Sequence, residues 1–333
     1  MNSEAYISVV IPNCNNAATI GKCLESAFSS DYRNFEVIVV DDFSEDNSIE
    51  VIKKFPSKLI CLEKHAGASR ARNIGAQNSN GDIIFFTDAD CILKKDTLSI
   101  ASKAIQAVTP DVIIGGTYTK IPYDKGFFGM FQSVFINYSE TKKLENPDYI
   151  ATHAMIINAQ TFRKSNGFPE DFLPILEDVE FSHRLREKGY RLKMNSEIQV
   201  QHIFNFTLIK SLRNAVKKSW YWTIYSMKNK DSFADSGTAS VELKINVVSY
   251  FLSLCLLISW LFSGKAAFLC LLPAIIFVNS FISRGLLSTF YETNGIFFAG
   301  LAFIYYTLLY PAAVIGGVIS GIVSYLLNRG ELR

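Results

Sequence analysis

The chain opens as a series of short apolar runs cut by polar turns. Ile7-Ser8-Val9-Val10-Ile11 reads as a buried strand that Pro12 stops. Thr19 to Phe28 has helical spacing through Ile20, Leu24 and Phe28, and Phe35 to Val40 is a second strand ending in Asp41-Asp42. The pattern continues with a helix over Ser48 to Phe55, a strand over Leu59 to Leu62 and a helix over Ser69 to Asn78. A strand over Ile83 to Thr87, a helix over Thr97 to Ala107 and a strand over Val112 to Gly116 follow. Strands alternating with short helices predict a largely parallel, helix-covered α/β sheet. Phe127 to Tyr138 is rich in aromatic residues, and it fits either the border of an acceptor site or an ordinary packed helix.

Beyond about Asn205 the pattern changes. Ile203 to Lys230 holds Lys210, Arg213, Lys217, Lys218, Lys228 and Lys230 and no acid. Ile209, Leu212, Val216, Trp220 and Met227 recur there at helical spacing, and Trp220, Tyr221, Trp222 and Tyr225 suit a headgroup boundary. A basic, aromatic, amphipathic helix of this kind is expected to lie on an anionic leaflet. From Lys244 onward charges nearly vanish. Ile245 to Gly264 and Ala266 to Ser283 carry none, and each approaches the ~20 apolar residues that span a bilayer. Only Lys265 separates them, which predicts a tight membrane hairpin with Arg284 at its return. Thr293 to Asn328 is a third charge-free run, interrupted by Pro311, with Gly316-Gly317 and Gly321 as surfaces for close helix packing. Two, three or four crossings fit this pattern. The basic helix, Arg329 and Arg333 favour the cytoplasmic side. The expected organisation is a domain over residues 1–205, an interfacial helix over 206–232 and a membrane domain over 245–328.

Composition adds little to this outline. The net charge of +2 gives no case for nucleic acid as a partner. The six cysteines show no metal-like Cys-x-x-Cys spacing and read as reduced, mostly buried thiols. The polar start from Met1 to Tyr6 lacks the features of a secretory signal, so the first domain is expected in the cytosol.

The most informative stretch is Gly81 to Asp90, an apolar strand that runs into Asp88 and Asp90. Side chains alternate along an extended chain, so carboxylates two apart are expected to point the same way. Ligands of open α/β sheets collect at the carboxyl ends of the strands. Two carboxylates there suit a hard divalent cation, Mg2+ or Mn2+, shared with substrate phosphates.

With these pieces in place, the first half resembles glycosyltransferase family 2, the inverting GT-A fold. The resemblance runs from about Ile7 to His202 and rests on several motifs in order. They are Val9 to Asn15; Val37 to Ser44 with Asp46 and Ser48; Gly67 to Gly75; Thr87 to Asp90; Asn166 to Glu170 leading to Glu177 to Phe181; and Val200 to His202. It implies a nucleotide-diphospho-sugar transferase with a Rossmann-like mixed sheet. It implies that Pro12, Asn15, Asp41, Asp42, Arg72 and Asp88 hold the nucleotide, with Asp41 or Asp42 accepting from a uracil ring nitrogen. Asp88 and Asp90 address metal and diphosphate, and His202 is a third metal-facing group. Asp178 is the implied catalytic base, a carboxylate that takes the proton of an attacking hydroxyl. Glu180 and Arg184 read as an ordinary i, i+4 pair.

One departure narrows the activity. Processive polysaccharide synthases of this family carry Gln-x-x-Arg-Trp on an interfacial helix, whereas this chain has Val216-Lys217-Lys218-Ser219-Trp220. The expected activity is therefore transfer of one sugar from a nucleotide donor, a UDP-sugar being usual in the family, to a lipid-linked saccharide or glycolipid at the cytosolic face. A polyprenyl-phosphate sugar synthase is the nearest alternative, and its phosphate acceptor needs no general base. A non-catalytic membrane scaffold on the same fold is a second, against which Asp88, Asp90 and Asp178 speak.

Overall fold

The computed structural model describes residues 4–230 and 235–327, which fall into two compact units. The first is Met1–Lys125 with Ser139–Asn205, and the second is Gly126–Tyr138 with Phe206–Arg333. Residues 231 and 232 of the expected interfacial helix, together with Met1, Asn328, Arg329 and Arg333, lie outside the described residues.

In chain order the first unit contains β1 (Ile7–Asn13), α1 (Ile20–Phe28), β2 (Phe35–Asp41), α2 (Ser48–Ile52), β3 (Lys58–Cys61) and α3 (Ala68–Gln77). It continues with β4 (Ile83–Phe86), β5 (Cys91–Leu93), α4 (Thr97–Gln106) and β6 (Val112–Tyr118). After α5 (Phe127–Thr141), whose residues through Tyr138 group with the second unit, come β7 (Met155–Asn158), α6 (Ala159–Lys164), α7 (Glu177–Glu187) and β8 (Arg191–His202). One eight-stranded sheet runs in the order β3-β2-β1-β4-β7-β6-β8-β5. β1 pairs in parallel with β2 and β4, and β2 with β3. β7 is antiparallel to both β4 and β6, β8 is parallel to β6, and β5 is antiparallel to β8. The sheet is thus mixed, as the family resemblance implies, and less parallel than the bare alternation of runs suggests.

β1 does not stop at Pro12 but continues to Asn13. β4 ends opposite Val10, so by Pro12 only β2 remains as a partner and the missing N–H leaves no central ladder bond unmade. The fully buried β4 and β6 read as unbroken apolar runs because both of their faces are covered. Under β4, the rings of Phe86, Phe162, Phe168 and Phe181 pack with centroids 4.6–5.6 Å apart.

The second unit adds α8 (Leu208–Asn229), α9 (Val241–Ser263), α10 (Ala267–Cys270), α11 (Leu272–Ile282), α12 (Arg284–Ile304) and α13 (Tyr310–Leu327), with a π turn at Tyr305–Leu309 between the last two. Val241–Ser263 and Arg284–Leu327 are long and apolar enough to cross a membrane. The aromatic run of α5 is core packing: Phe131 and Phe135 are buried, and the Phe131 ring stacks on Phe290 at 5.3 Å.

Three expectations for this unit change in detail. The second arm of the hairpin is split into α10 and α11, with Pro273 in the first turn of α11, a position that tolerates an absent N–H. Pro311 does not interrupt the third apolar run; the break lies at Asn294-Gly295, where φ is −150° and +75°. The π turn absorbs the proline. Tyr310 N–H donates to Tyr305 O, so the carbonyl of Tyr306 faces Pro311, which has no N–H. Asn246 of α9 fills that gap, donating from Nδ2 to Tyr306 O at 2.7 Å and accepting from Asn279 Nδ2 of α11 at 2.8 Å.

The buried stripe of α8 also differs from the apolar one. Ser211 and Ala215 are buried, whereas Ile209 is 60% exposed. Gly317 and Gly321 of α13 bring the two backbones close at Val216, Ser219, Trp220 and Thr223. A Cβ on Gly317 would lie 2.4 Å from Val216 O, and one on Gly321 would lie 2.7 Å from both Thr223 Cβ and Trp220 O. Backbones approach this closely only where side chains are small. Ser211 with Tyr305 and Trp220 with Ser324 extend the contact, so α8 and the helix from Tyr305 to Leu327 run side by side in the same direction.

Candidate active site

The carboxyl ends of β1, β2 and β4 open onto a cavity of about 680 Å3, whose walls include Pro12, Asn13, Asp42, Arg72, Asp88, Asp90 and His202. Of the residues predicted from the sequence, Pro12, Asp42, Arg72, Asp88, Asp90 and His202 line this cavity, whereas Asn15, Asp41 and Asp178 are not on its wall.

Asp42 lines the cavity and is almost fully buried. Its two oxygens accept the backbone N–H groups of Ala66 at 2.7 Å and Gly67 at 2.8 Å, and His65 Nδ1 lies 2.9 Å from Oδ2. Asp41 is absent from the wall. It accepts from Asn13 Nδ2 at 2.7 Å, Ser44 N at 2.9 Å and Ser44 Oγ at 2.7 Å, which fixes the turn after β2. Asn15, in the left-handed region at φ 54°, is exposed and holds the same turn by accepting from Glu45 N and Asp46 N. Asn16 takes the place on the cavity wall that Asn15 was expected to fill.

Asp88 and Asp90 share the cavity, but not through alternation along a strand. β4 ends at Phe86, and Cys91 N–H donates to Asp88 O at 3.0 Å, so Asp88-Ala89-Asp90 forms a tight turn between β4 and β5. Ile203 N–H donates to Asp90 O at 2.9 Å, which brings the end of β8 against this turn. His202 Nε2 accordingly lies 3.4 Å from Asp90 Oδ2, with the imidazole stacked on Phe204 at 4.0 Å.

Arg72 is 4% exposed, and its fork already grips two acids. It donates to Asp88 Oδ1 at 2.7 Å and to Glu177 Oε1 at 2.6 Å. It thereby ties the first turn of α7 to the Asp88–Asp90 turn. Asp178, next to Glu177, accepts the N–H of Val179 at 2.9 Å and follows Leu176, a bulky residue in the left-handed region at φ 77°. Asn73 clamps a further piece: it exchanges hydrogen bonds at 2.9 Å with the N–H and C=O of Phe168. Gly167 at φ 66° makes that clamp possible, since a Cβ there would sit 2.4 Å from Asn73 Oδ1. Arg184 pairs with Glu180 at 3.0 Å and also donates to the carbonyls of Ser165 and Gly167, so it does more than an i, i+4 pair.

The charges around this cavity shift one another. Burial, then the neighbouring Asp88 carboxylate, pushes Asp90 up to about 7. Burial, then Glu177, pushes Asp178 up to about 7. Burial also opposes ionisation of Asp88, but the charge and hydrogen bond of Arg72 outweigh it and hold that carboxyl below its ordinary value. His153 shows the mirror case: burial favours its neutral form, yet Glu140, with Asp88 and Asp178 behind it, raises its pKa.

One ligand atom from each of Asp90, Cys91 and His202 lies within 4.8 Å of the others. Burial pushes the Cys91 thiol far up, so it stays protonated and leaves Asp90 and His202 as donors for a hard cation. The excess of buried negative charge that raises Asp90 is what a divalent cation there relieves. Cys14, Asp42 and His65 form a second such trio at the other end of the cavity.

Sequence reasoning missed His65, Glu177 as a partner of Arg72, and the buried His153–Glu140 pair at 3.4 Å. Glu177 was signalled by its place beside Asp178. His153, in an apolar stretch before β7, carried no signal of its own.

A mixed sheet with an acidic turn after β4 is the architecture that the family resemblance implies. The chain superposes on a mannosyltransferase from Pyrobaculum calidifontis, solved in complex with GDP-Man and Mn2+, with a TM-score of 0.61 at 15% identity over 97% of this chain and 88% of the other, a likeness of fold. Residues 8–165 match the model of Glycosyl transferase family 2, and the family resemblance read from the motifs is thereby shown for this part of the chain. The match stops short of Asp178 and His202. Among curated proteins, glycosyltransferase GlyG of Streptococcus pneumoniae is 32% identical over 127 residues, 37% of this chain and 42% of the relative. Glycosyltransferase AglE of Haloferax volcanii is 25% identical over 200 residues, 58% of this chain and 65% of the relative. The chain thus spans less than two thirds of the length of these relatives.

Proposed function

We propose that this protein transfers a single sugar from a nucleotide-diphospho-sugar to a hydroxyl of a lipid-linked saccharide or glycolipid at the cytosolic face of a membrane. The observation that carries the reading is the convergence of Asp42, Asp88, Asp90 and His202 on one cavity whose buried guanidinium, Arg72, is already engaged by two acids. A diphosphate entering such a cavity needs a cation. Asp88, Asp90 and His202 would hold Mg2+ or Mn2+, which offsets the negative charge growing on a departing nucleoside diphosphate. Asp42, with the N–H groups of Ala66 and Gly67 fixed on it, gives the nucleobase end a rigid acceptor. A uridine base offers a ring N–H to match.

Asp178 takes the acceptor proton. A carboxyl poised near 7 suits general-base work close to neutral pH. That function favours a hydroxyl acceptor over a lipid phosphate, which is ionised already. The two apolar helical stretches and the basic face of α8 support attachment to a membrane, where a lipid-borne acceptor is confined to the same surface.

The test uses the full chain in lipid nanodiscs with a pool of nucleotide sugars, divalent cation and a lipid extract from the source organism. Mass spectrometry should find a lipid that gains one sugar mass, and the gain should vanish in D178N. Transfer to polyprenyl phosphate that survives D178N would replace this reading with the phosphate-acceptor synthase. Absence of both donor binding and transfer would replace it with the scaffold.

A further inference from the structure

Three strand ends of the first unit deliver unlike donors to one point. Cys14 follows β1, Asp42 follows β2, and His65 lies between β3 and α3. All three line the cavity described above, and one donor atom from each lies within 4.8 Å of the others. His65 Nδ1 is 2.9 Å from Asp42 Oδ2 and 3.9 Å from Cys14 Sγ. Ligand atoms around a tetrahedral zinc ion stand about 3.3–3.5 Å apart, a spacing that these two distances straddle. The carboxylate is fixed before any ion arrives. Ala66 and Gly67 donate their N–H groups to it at 2.7 and 2.8 Å, and Asp42 N–H donates to Asn13 O at 2.7 Å, tying the ends of β1 and β2 together. Cys14 is held through its carbonyl, which accepts from Asn16 Nδ2 at 3.0 Å, and Asn15 Nδ2 lies 3.8 Å from its sulfur. The His65 side chain is 68% exposed, so the approach from solvent is open.

The donor set selects the ion. Thiolate, imidazole and carboxylate, with a fourth position open to the cavity, suit Zn2+, whereas Mg2+ and Mn2+ prefer oxygen. Cys91, beside Asp90 and His202, is fully buried, while Cys14 is only half-buried and within reach of an entering ion. Burial, then Asp42 and Asp41, keep the free Cys14 thiol protonated, and coordination releases that proton to solvent. We propose that Cys14, Asp42 and His65 bind one Zn2+ ion, and that this ion competes with the nucleobase end of the donor. Binding of the ion stands on these residues alone, whereas the competition rests on the reading that Asp42 receives the base. An ion on Asp42 occupies the carboxylate that the base needs, so zinc here opposes the cation at Asp90 and His202 instead of replacing it.

The test adds Co2+, a coloured stand-in for Zn2+, to the full chain in detergent. A thiolate-to-metal charge-transfer band in the near ultraviolet is expected, and Zn2+ should abolish it by displacing the Co2+. Cys14→Ser should remove the band, and His65→Gln, at an exposed position that does not threaten the fold, should weaken binding at least a hundredfold. No band, a band that survives Cys14→Ser, or an affinity that His65→Gln leaves unchanged overturns the site. UDP binding, followed by calorimetry with Mg2+ present, should then weaken at least tenfold when Zn2+ saturates the wild type, but not in Cys14→Ser. The diphosphate chelates zinc equally in both measurements, so their difference reports on the site. Equal UDP binding by the two proteins in zinc overturns the competition. If the chain binds no UDP even without zinc, the reading of Asp42 and the competition fail together, while the band still decides the ion.

Discussion

The two units each enclose a cavity, and they treat charge in opposite ways. In the first, acids dominate and are buried deeply enough to raise two of them to about 7, and the buried guanidinium of Arg72 is locked to Asp88 and Glu177. In the second, lysines stand beside apolar walls, and polar groups elsewhere pair among themselves, as Asn246 does with Asn279 and Tyr306. On the reading proposed above, an anionic ligand would enter the first cavity only together with a cation. The same contrast extends to how position is fixed: hydrogen bonds to backbone groups hold Asp41, Asp42 and Asn73, whereas close backbone approach at Gly317 and Gly321 holds α8 to α13.

The sharpest way to break this contrast is to remove the cation. Asp90→Asn leaves His202 without its carboxylate partner and should reduce transfer to background, as should chelation of the wild type. Calorimetry should show that divalent cation no longer promotes nucleotide-sugar binding in the variant. Metal-dependent binding that persists in Asp90→Asn would put the cation elsewhere. Next in size is Asp178→Asn, which keeps the shape of the first turn of α7 while removing the base. Transfer should fall by about 10²–10⁴-fold with donor binding intact, measured as turnover beside equilibrium binding. A loss of donor binding instead would make Asp178 part of the nucleotide site.

Why the sequence disclosed the acids but not their arrangement follows from what a linear pattern contains. The strand-then-acid order around Asp88 and Asp90 was legible because β4 is buried on both faces and reads as an apolar run. The turn that gathers them was not, since its cause is a bond from Cys91 N–H to Asp88 O and the arrival of β8 from more than a hundred residues later. β7 was missed for a similar reason: three apolar residues and an asparagine carry no clear alternation, and only pairing with β4 and β6 makes them a strand. Arg72 was legible as a nucleotide-holding residue, but its ties to Asp88 and Glu177 were not, because they arise across the fold. In the second unit the apolar stripe of α8 suggested the wrong buried face. The close approach of α13 at Gly317 and Gly321, which meets Val216, Ser219, Trp220 and Thr223, has no counterpart in the apolar periodicity of α8.

A smaller effect comes from pH. With Asp178 raised to about 7, the ionised base is lost tenfold per unit below that point, so turnover should climb about tenfold from pH 5 to 6 and flatten above 7. Stability moves the other way. The folded carboxyl keeps a proton that the unfolded one releases near 3.8, so its contribution to stability is fully present below 3.8 and is lost as pH rises through 7. Thermal melts of the wild type and Asp178→Asn should therefore diverge between pH 4 and 7, the wild type losing ground as pH rises. Parallel melting curves across that window would mean that Asp178 is ionised in the fold throughout.

The smallest effect tests the packing half of the contrast with two adjacent glycines. A Cβ at Gly316 meets nothing within 4 Å, whereas one at Gly317 would press on Val216 O at 2.4 Å and on Ser219 Cβ at 2.8 Å. Gly316→Ala should therefore be neutral or gain up to ~1 kcal/mol from better helix propensity. Gly317→Ala must push α8 away from α13 and should lose ~1–3 kcal/mol, read as a lower melting temperature in detergent. The same displacement reaches Ser219 and Trp220, so the hydrogen bond from Trp220 Nε1 to Ser324, 3.1 Å in the structure, should weaken and shift the tryptophan emission. Equal behaviour of the two variants would mean that α8 is held by its apolar stripe after all, and its contact with α13 would then have to be redrawn around that stripe.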